Sequence, residues 1–348
     1  MGEAATKPVE HGGSLEKARA LFPNAPLPLV DLSTGINPHS YPLLDLPATA
    51  LTRLPEPARI DALCKVAARA YGAPSRAHVA AAPGTQLLLP MVAGMVAPGR
   101  ARILGPTYEE HPRAAALAGH QVEIIRDIAA LAAADLAVVV NPNNPDGRLL
   151  DRPRLCDLAK ELSQRGGLLV VDEAFMDCCP AGESMTAMVD SLPIVVLRSF
   201  GKFYGLAGVR LGFAIASKAI AARLHSLLGP WAISGPALGY GLQALADTDW
   251  RDATRKILTV EIERLKAVFG SYGLTLEGEA NLFQIVRSGA APDIYRALGR
   301  NGVIVRAFAN RPEELRCGLP CTQEAWDRLE RALGAWCEAK ETKGIRRR

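Results

Sequence analysis

Short aliphatic runs alternate with longer segments rich in alanine, leucine and charged residues between about residue 78 and residue 228. This alternation is typical of βα units arranged around a mostly parallel sheet. The predicted strands are 78–82, 101–104, 121–125, 136–140, 168–172, 193–197 and 211–215. The predicted helices are 85–96, 109–118, 152–165 and 217–228. The sequence therefore predicts an α/β fold whose large domain is built on a seven-stranded sheet.

The pattern changes after about residue 236. Helices are predicted at 236–247, 250–271 and 322–338, and apolar runs lie at 282–286, 302–305 and 314–318. Helices mixed with short apolar runs indicate a smaller α+β domain. The N-terminal stretch is rich in proline and glycine, with one short predicted helix at 14–21. We predict an N-terminal segment (1–45) that packs on the functional site and the small domain, a large domain (46–235) and a small domain (236–348).

The composition is that of a globular protein without a strongly charged surface. Of the 348 residues, 49% are hydrophobic and 22% are charged, and the net charge is +4. So small an excess provides no broad electrostatic field for nucleic acid. The longest apolar stretch, at 87–97, is interrupted by Pro90 and is too short to span a bilayer. We therefore expect neither a nucleic-acid partner nor a membrane.

The seven cysteines predict reduced thiols. Their number is odd, and Cys178 and Cys179 are adjacent, which suits free thiols better than a disulfide framework. The spacing of Cys317 and Cys321 resembles half of a zinc site, but no second pair of cysteine or histidine residues stands at ligand spacing. We therefore expect a cytoplasmic protein that binds no metal.

The loop after the predicted strand 193–197 carries a single lysine, Lys202, among glycines, and Arg210 follows eight residues later. Partial burial beside positive charge favours the neutral amine that Schiff-base chemistry requires. Ser199 and Arg210 suit the phosphate of a cofactor, because a hydroxyl donates a hydrogen bond and a guanidinium binds as a forked cation. Taken alone, this loop fits a strand-end lysine without chemistry equally well.

Two further strand ends carry polar groups that suit an aromatic cofactor. Asn144 lies in a proline-bounded turn after strand 136–140, where its amide can reach a phenolate oxygen. Asp172 ends strand 168–172, where a carboxylate can pair with a pyridine nitrogen and make the ring a better electron sink. The alternatives are an ordinary turn at Asn144 and a helix cap at Asp172.

The turn of Gly84, Thr85 and Gln86 leads from a predicted strand into a predicted helix. The free N–H groups and the dipole at such a helix start suit a phosphate, although a lone turn of this kind is weak evidence. Tyr108 follows another strand and can stack on a ring, but on its own it is more often a packed aromatic residue.

Together these residues resemble the fold-type I superfamily of pyridoxal 5'-phosphate (PLP) enzymes, the class I and II aminotransferases. The resemblance extends over about residues 30–338 and implies PLP as the cofactor. It also implies that Lys202 carries PLP as a Schiff base and shuttles protons, and that Asp172 pairs with the pyridine nitrogen. Asn144 then bonds the ring oxygen and Tyr108 stacks on the ring. The residues implied to hold the cofactor phosphate are Gly84, Thr85, Gln86, Ser199 and Arg210.

Two positions depart from the family pattern. Phe175 stands where many relatives carry a tyrosine, so the second hydrogen bond to the ring oxygen is missing from the predicted site. Leu54 stands where relatives often have a tyrosine that reaches the phosphate of the neighbouring subunit. The resemblance still implies a homodimer, because the family generally builds its sites at a dimer interface.

The N-terminus narrows the family further. The run His11-Gly12-Gly13 and the segment 31–38 resemble the opening of the L-threonine O-3-phosphate decarboxylases of cobalamin biosynthesis. The segments 202–212 and 231–234 are also similar to theirs, although Ser234 replaces their usual asparagine. This resemblance implies a carbon–carbon lyase that acts on a small phosphorylated amino acid and forms (R)-1-amino-2-propanol O-2-phosphate. Arg316 matches the arginine that binds a substrate carboxylate. The candidate substrate-binding residues are His11, Asn37, Arg306 and Arg316.

The residues alone leave two other functions open. Histidinol-phosphate aminotransferases share the rest of the pattern but usually lack the His-Gly-Gly start. The reaction depends on which bond at the substrate Cα stands perpendicular to the cofactor ring, and the sequence does not give that angle. The third possibility is a non-catalytic descendant that binds partners or the ligand of a regulator on the same fold. The full set of cofactor residues argues against it.

Overall fold

The computed structural model describes residues 12–179 and 182–345. Contacts within it divide the chain into two compact units. Of the described residues, the first unit contains 40–144 and 148–252, and the second contains 12–39, 145–147 and 253–345. The predicted domain boundaries stay predictions. The contacts place the predicted helix 236–247 in the first unit, whereas the sequence assigns it to the small domain.

The elements follow the predicted alternation closely. The helices are α1 (Leu15–Leu21), α2 (Thr49–Thr52), α3 (Pro57–Tyr71), α4 (Thr85–Ala93), α5 (Glu110–Leu117), α6 (Arg152–Ser163), α7 (Phe200–Phe203), α8 (Lys218–Leu228), α9 (Gly235–Ala244), α10 (Thr248–Gly270), α11 (Ala291–Arg300) and α12 (Gln323–Ile345). The strands are β1 (Val30–Asp31), β2 (Val79–Ala82), β3 (Arg100–Leu104), β4 (Gln121–Ile125), β5 (Leu136–Val140), β6 (Leu168–Asp172), β7 (Ile194–Ser199), β8 (Gly212–Ile215), β9 (Leu276–Glu277), β10 (Phe283–Arg287), β11 (Val303–Ile304), β12 (Arg306–Phe308) and β13 (Arg311–Gly318).

Seven strands of the first unit form one sheet in the order β2-β8-β7-β6-β5-β3-β4. Neighbouring strands are parallel except at β8, which runs antiparallel to both β2 and β7. Strands β5 and β6 are buried along their whole length, as expected where helices cover both faces of a sheet. The predicted seven-stranded, mostly parallel sheet is thereby confirmed.

The register of this sheet brings several predicted site residues to one edge. Val140 pairs with Asp172, and Asp172 pairs with Leu197 on the next strand. Ser199, the last residue of β7, lies opposite Gly212 at the start of β8. Ligands of an α/β sheet bind outside the carboxyl ends of its parallel strands, so a site is expected at this edge.

The sequence analysis does not predict α3 and α11. Helix α3 begins with Pro57 at its first turn and ends at Gly72, which adopts a left-handed φ of 71°. Both residues are typical helix boundaries. The predicted helix 85–96 ends earlier, at Ala93, and the final helix extends past the predicted end to Ile345.

The second unit contains a four-stranded antiparallel sheet in the order β12-β13-β10-β9 and the parallel pair β1-β11. Helix α10 buries Leu258, Ile262 and Leu265, which recur at helical spacing, and α11 packs on α12.

Among the described residues, every helix is too short or too polar to cross a membrane.

Candidate active site

Asp172 ends β6 with a carboxylate that is held in place on two sides. Its Oδ2 accepts a hydrogen bond of 2.8 Å from Nε2 of His111, and its Oδ1 accepts one of 3.0 Å from the N–H of Ala174. Both Asp172 and His111 are buried, at 5% and 4% exposure. The carboxylate therefore has a fixed direction. The sequence does not indicate a role for His111, since a histidine inside a helix gives no signal of its partner.

Lys202 lies on the short helix α7, which follows directly from β7. Its Nζ is 5.6 Å from the centroid of the buried Phe175 ring. A Cβ at Gly201 would lie 2.8 Å from the Cα of Ala207, so only glycine allows the loop to fold back this closely. Phe200 and Phe203 are fully buried on either side of this turn. The half-buried amine of Lys202 is thus presented by a firmly anchored backbone.

An anion-binding cradle lies at the N-terminus of α4. Gly84 precedes this helix with a φ of +84° and, as a glycine, gives its first N–H groups no side-chain cap. A Cβ at Gly84 would lie 2.6 Å from Nη2 of Arg210, and one at Gly212 would lie 2.6 Å from the N of Thr85. Arg210 itself adopts a left-handed φ of 55°. Uncapped N–H groups beside a guanidinium are the donors that a phosphate requires.

Tyr108 presents a neutral aromatic ring beside this cradle. Burial, together with the charges of Glu110 and Asp172, raises the pKa of Tyr108 to about 12, so its hydroxyl stays protonated at neutral pH. The hydroxyl donates to Oε1 of Gln86 at 3.2 Å, and Nε2 of Gln86 donates to Glu110 at 2.8 Å. The side chain of Gln86, predicted to hold the phosphate, therefore connects Tyr108 to Glu110.

The turn after β5 is built by two asparagines that the sequence analysis did not single out. Asn141 donates to the carbonyl of Leu150 and accepts from its N–H, at 2.9 and 2.7 Å. Asn143 accepts from the hydroxyl of Thr107 at 2.7 Å. These contacts fix the backbone that carries Asn144, which is half-buried at the end of the turn.

A buried ion-pair cluster ties together the ends of β6 and β7. Arg198 donates from Nη1 to Glu173 at 2.9 Å and from Nη2 to Asp177 at 2.6 Å. Its guanidinium also lies 4.4 Å from the centroid of the Tyr71 ring. Burial raises the pKa of the Glu173 carboxyl, while Arg198 acts in the opposite direction. Glu173 follows Asp172, and Arg198 precedes Ser199, so this cluster braces the strand ends that carry the predicted site.

Two arginines face each other in the second unit. Arg306 on β12 lies directly opposite Arg316 on β13. Arg316 is buried at 7% exposure, and its Nη2 donates to the carbonyl of Ser33 at 2.7 Å. Burial and the charge of Arg306 lower the pKa of Arg316 to about 10, so it remains a cation at neutral pH. Two adjacent cations favour a bound anion.

Asn37 is buried in the second unit and accepts a hydrogen bond of 2.9 Å from the N–H of His39. It lines an open cavity of about 500 Å³ together with Asp31, Thr34 and Cys321. The other predicted residue of the N-terminal segment, His11, lies outside the described residues.

A family model described as aminotransferase class I and II matches residues 49–333. The chain belongs to the class I and II aminotransferase family. The family predicted from the residues at the strand ends is thereby confirmed.

Relatives of this aminotransferase-family chain include two threonine-phosphate decarboxylases. That of Pseudomonas aeruginosa is 38% identical and covers 93% of this chain and 97% of its own length. That of a Sinorhizobium species is 37% identical and covers 94% and 98%. Histidinol-phosphate aminotransferase 2 of Pseudomonas aeruginosa is 29% identical over 86% of this chain and 85% of its own length. The resemblance to threonine-phosphate decarboxylases is confirmed.

Solved structures of the family share the fold. Histidinol-phosphate aminotransferase from Sinorhizobium meliloti, in complex with pyridoxal-5'-phosphate, has a TM-score of 0.82 at 20% identity and covers 97% of this chain and 98% of its own. L-threonine-O-3-phosphate decarboxylase from Porphyromonas gingivalis has a TM-score of 0.73 at 20% identity and covers 89% and 100%. The predicted fold is confirmed, and the predicted cofactor is the one bound in the first of these structures.

Proposed function

We propose that this aminotransferase-family chain is a PLP-dependent lyase that decarboxylates L-threonine O-3-phosphate, a step of cobalamin biosynthesis. The products are CO₂ and (R)-1-amino-2-propanol O-2-phosphate. The observation that carries the proposal is the facing pair of Arg306 and Arg316, in a chain that matches threonine-phosphate decarboxylases almost from end to end. Paired guanidinium groups suit a substrate that carries both a carboxylate and a phosphate.

The residues of the first unit fit PLP. The uncapped start of α4 and the guanidinium packed against Gly84 suit its phosphate, and a side chain at residue 84 would fill that space. Lys202 offers the amine, and Asp172 offers a carboxylate whose direction is fixed by His111. We assign the phosphate to the cradle residues Gly84, Thr85, Gln86, Ser199 and Arg210.

The remaining groups of the first unit complete the proposed cofactor site. Tyr108 contributes a neutral ring face, and Asn144 contributes an amide to the ring oxygen. Phe175 places an apolar ring near Lys202 where many relatives have a hydroxyl. PLP, when bound, supplies an aldehyde that condenses with amines and a ring that accepts electrons.

The protein's own groups direct the reaction. Arg316 holds the substrate carboxylate, while Arg306, Asn37 and His11 bind the phosphate. Holding both anions fixes which bond at Cα stands perpendicular to the cofactor ring. PLP would accept the electron pair that remains at Cα when CO₂ leaves, and we assign to Nζ of Lys202 the delivery of the proton that replaces the carboxylate at Cα.

The products distinguish this function from amino transfer. The purified holoenzyme should release CO₂ from L-threonine O-3-phosphate and accumulate the phosphorylated amino alcohol, as measured by mass spectrometry. Addition of 2-oxoglutarate should yield no glutamate. Formation of glutamate from histidinol phosphate, without CO₂ release, would instead assign the chain to the histidinol-phosphate aminotransferases.

The proposed enzyme is a homodimer. Several large apolar side chains of the first unit are exposed, including Leu43 at 80%, Leu51 at 81%, Leu54 at 64% and Trp231 at 58%. The segments that carry them lie against α9, since Leu43 lines a pocket with Gly239 and a Cβ at Gly235 would lie 1.9 Å from the carbonyl oxygen of Ala50. Apolar side chains exposed together in one region are typical of an interaction surface. Because Leu54 stands in place of a tyrosine, the proposed dimer contact at this position is apolar.

A charge in this region should dissociate the dimer. Leu51→Glu should shift the sedimentation coefficient from that of a dimer to that of a monomer, because a buried, unpaired carboxylate is costly. Leu117→Glu, at an exposed leucine at the end of α5, is the control and should leave the dimer intact. A wild-type protein that sediments as a monomer would contradict the proposal.

We also propose a cytoplasmic location. Among the described residues the seven cysteines form no disulfide, and reduced thiols in this number suit a reducing compartment.

A further inference from the structure

Ser33 uses three polar groups to connect the N-terminal segment of the second unit to Arg316. Its N–H and its hydroxyl both donate to Oδ1 of Asp31, at 2.8 and 2.6 Å. Its Oγ accepts from the N–H of Gly13 at 2.8 Å, and its carbonyl accepts from Nη2 of Arg316 at 2.7 Å. Ser33 is only 4% exposed, so water does not replace these bonds readily.

The backbone around Ser33 is held closely on both sides. A Cβ at Gly12 would lie 2.4 Å from the carbonyl oxygen of Ser33. A Cβ at Gly318 would lie 2.6 Å from the carbonyl oxygen of Thr34, and the N–H of Gly318 donates to Leu32 at 2.8 Å. The carbonyl that receives Arg316 therefore has little freedom to move.

The charges around Arg316 explain why its side chain needs to be held in place. Arg316 lies opposite Arg306, and like charges directly opposite in a β-ladder are destabilising. Asp31 is the carboxylate that opposes this repulsion, since its charge raises the pKa of Arg316 against the effects of burial and Arg306. One carboxylate beside two guanidinium groups leaves a net positive charge for an anion.

We propose that Ser33, held by Asp31, is a positioning residue that aims Arg316 at the carboxylate of the substrate. This inference rests on the proposed function and adds a determinant of ligand preference. The substrate carries a carboxylate and the product does not. Ser33 therefore strengthens binding of the substrate and contributes nothing to binding of the product.

Ser33→Ala in the holoenzyme tests this directly. The variant leaves the N–H of Gly13 and Oδ1 of Asp31 without the hydroxyl and loosens the carbonyl that binds Arg316. We expect KM for L-threonine O-3-phosphate to rise about tenfold, and the inhibition constant of 1-amino-2-propanol O-2-phosphate to change less than about twofold.

Ser14→Ala is the matched control. It removes another serine hydroxyl that accepts a backbone N–H in the same segment, but this residue is exposed and caps α1. Neither constant should change in this variant. Circular dichroism and the visible absorbance of the bound cofactor check that each variant is folded and loaded.

Equal changes in both constants for Ser33→Ala would overturn the inference, because the segment would then only shape the fold. If the wild type releases no CO₂ from the substrate, the proposed function fails. Calorimetric titration of the same two ligands then still decides the role of Ser33, since the heats report binding alone when there is no turnover. A loss of affinity confined to the carboxylate-bearing ligand would support it.

Discussion

Replacing Lys202 by alanine should lower the rate of CO₂ release from L-threonine O-3-phosphate by several orders of magnitude and abolish the covalent link to PLP. Lys202 is presented on α7 by a loop that Gly201 folds tightly against Ala207. Mass spectrometry after borohydride reduction measures the covalent link. The wild type should gain the mass of the cofactor on Lys202, and the variant should not.

Lys218→Ala is the matched control for this experiment. Lys218 is an exposed lysine at the start of α8, in the same unit, and its loss should leave both the rate and the reduced adduct unchanged. Lys202→Ala should still bind PLP without a covalent link, because the cradle of Gly84 and Arg210 remains intact. Turnover by Lys202→Ala within about tenfold of the wild type would contradict the assignment.

The sheet was predictable because strands buried on both faces have continuous aliphatic sequences. Strands β5 and β6 are such runs, and their predicted bounds agree with the structure. Helix α3 was missed for the opposite reason. Several positions on its buried face are alanines, such as Ala67 and Ala68, which give a weak hydrophobic signal among charged neighbours.

The proposed cofactor residues were predictable because each lies at a turn that ends or follows a strand. His111 and Arg198 carry no such signal. The bond between His111 and Asp172 joins residues 61 apart in the chain, and Arg198 lies within an aliphatic strand. Their partners are set by the register of the sheet and by the packing of α5. Local sequence patterns do not contain that information.

For the same reason, local sequence patterns do not predict the contacts of Gln86 and Ser33. The sequence predicts the turn at Gln86, but the bonds of its amide to Tyr108 and Glu110 depend on how α4 and α5 pack. The segment around Ser33 was recognised only as a resemblance. Its bond to Arg316 spans 283 residues of sequence, so the role proposed for it required the structure.

Asp172→Ala should lower the rate of decarboxylation by about a thousandfold or more, on the order of 4 kcal/mol in the activation free energy. The carboxylate is the acidic group assigned to the ring nitrogen, and without it the ring is a weaker electron acceptor. Asp172→Asn should be nearly as slow, because its amide retains the bond to Ala174 but has lost the charge. His111→Asn should cost about tenfold, since it removes one charge-assisted hydrogen bond and leaves the carboxylate in place.

The variant Asp190→Asn is the control that separates the loss of the charge at Asp172 from the loss of an ordinary hydrogen bond between aspartate and histidine. Asp190 accepts a hydrogen bond of 2.8 Å from Nε2 of His78, the same length as that between Asp172 and His111, in the same unit. If the charge at position 172 matters because of its place at the end of β6, kcat should be unchanged in Asp190→Asn. Equal losses of kcat in Asp172→Asn and Asp190→Asn would mean that general destabilisation, and not the loss of a partner for the ring nitrogen, causes the decrease. A graded order of rates, with His111→Asn between the wild type and Asp172→Asn, is expected only if the histidine acts through the carboxylate.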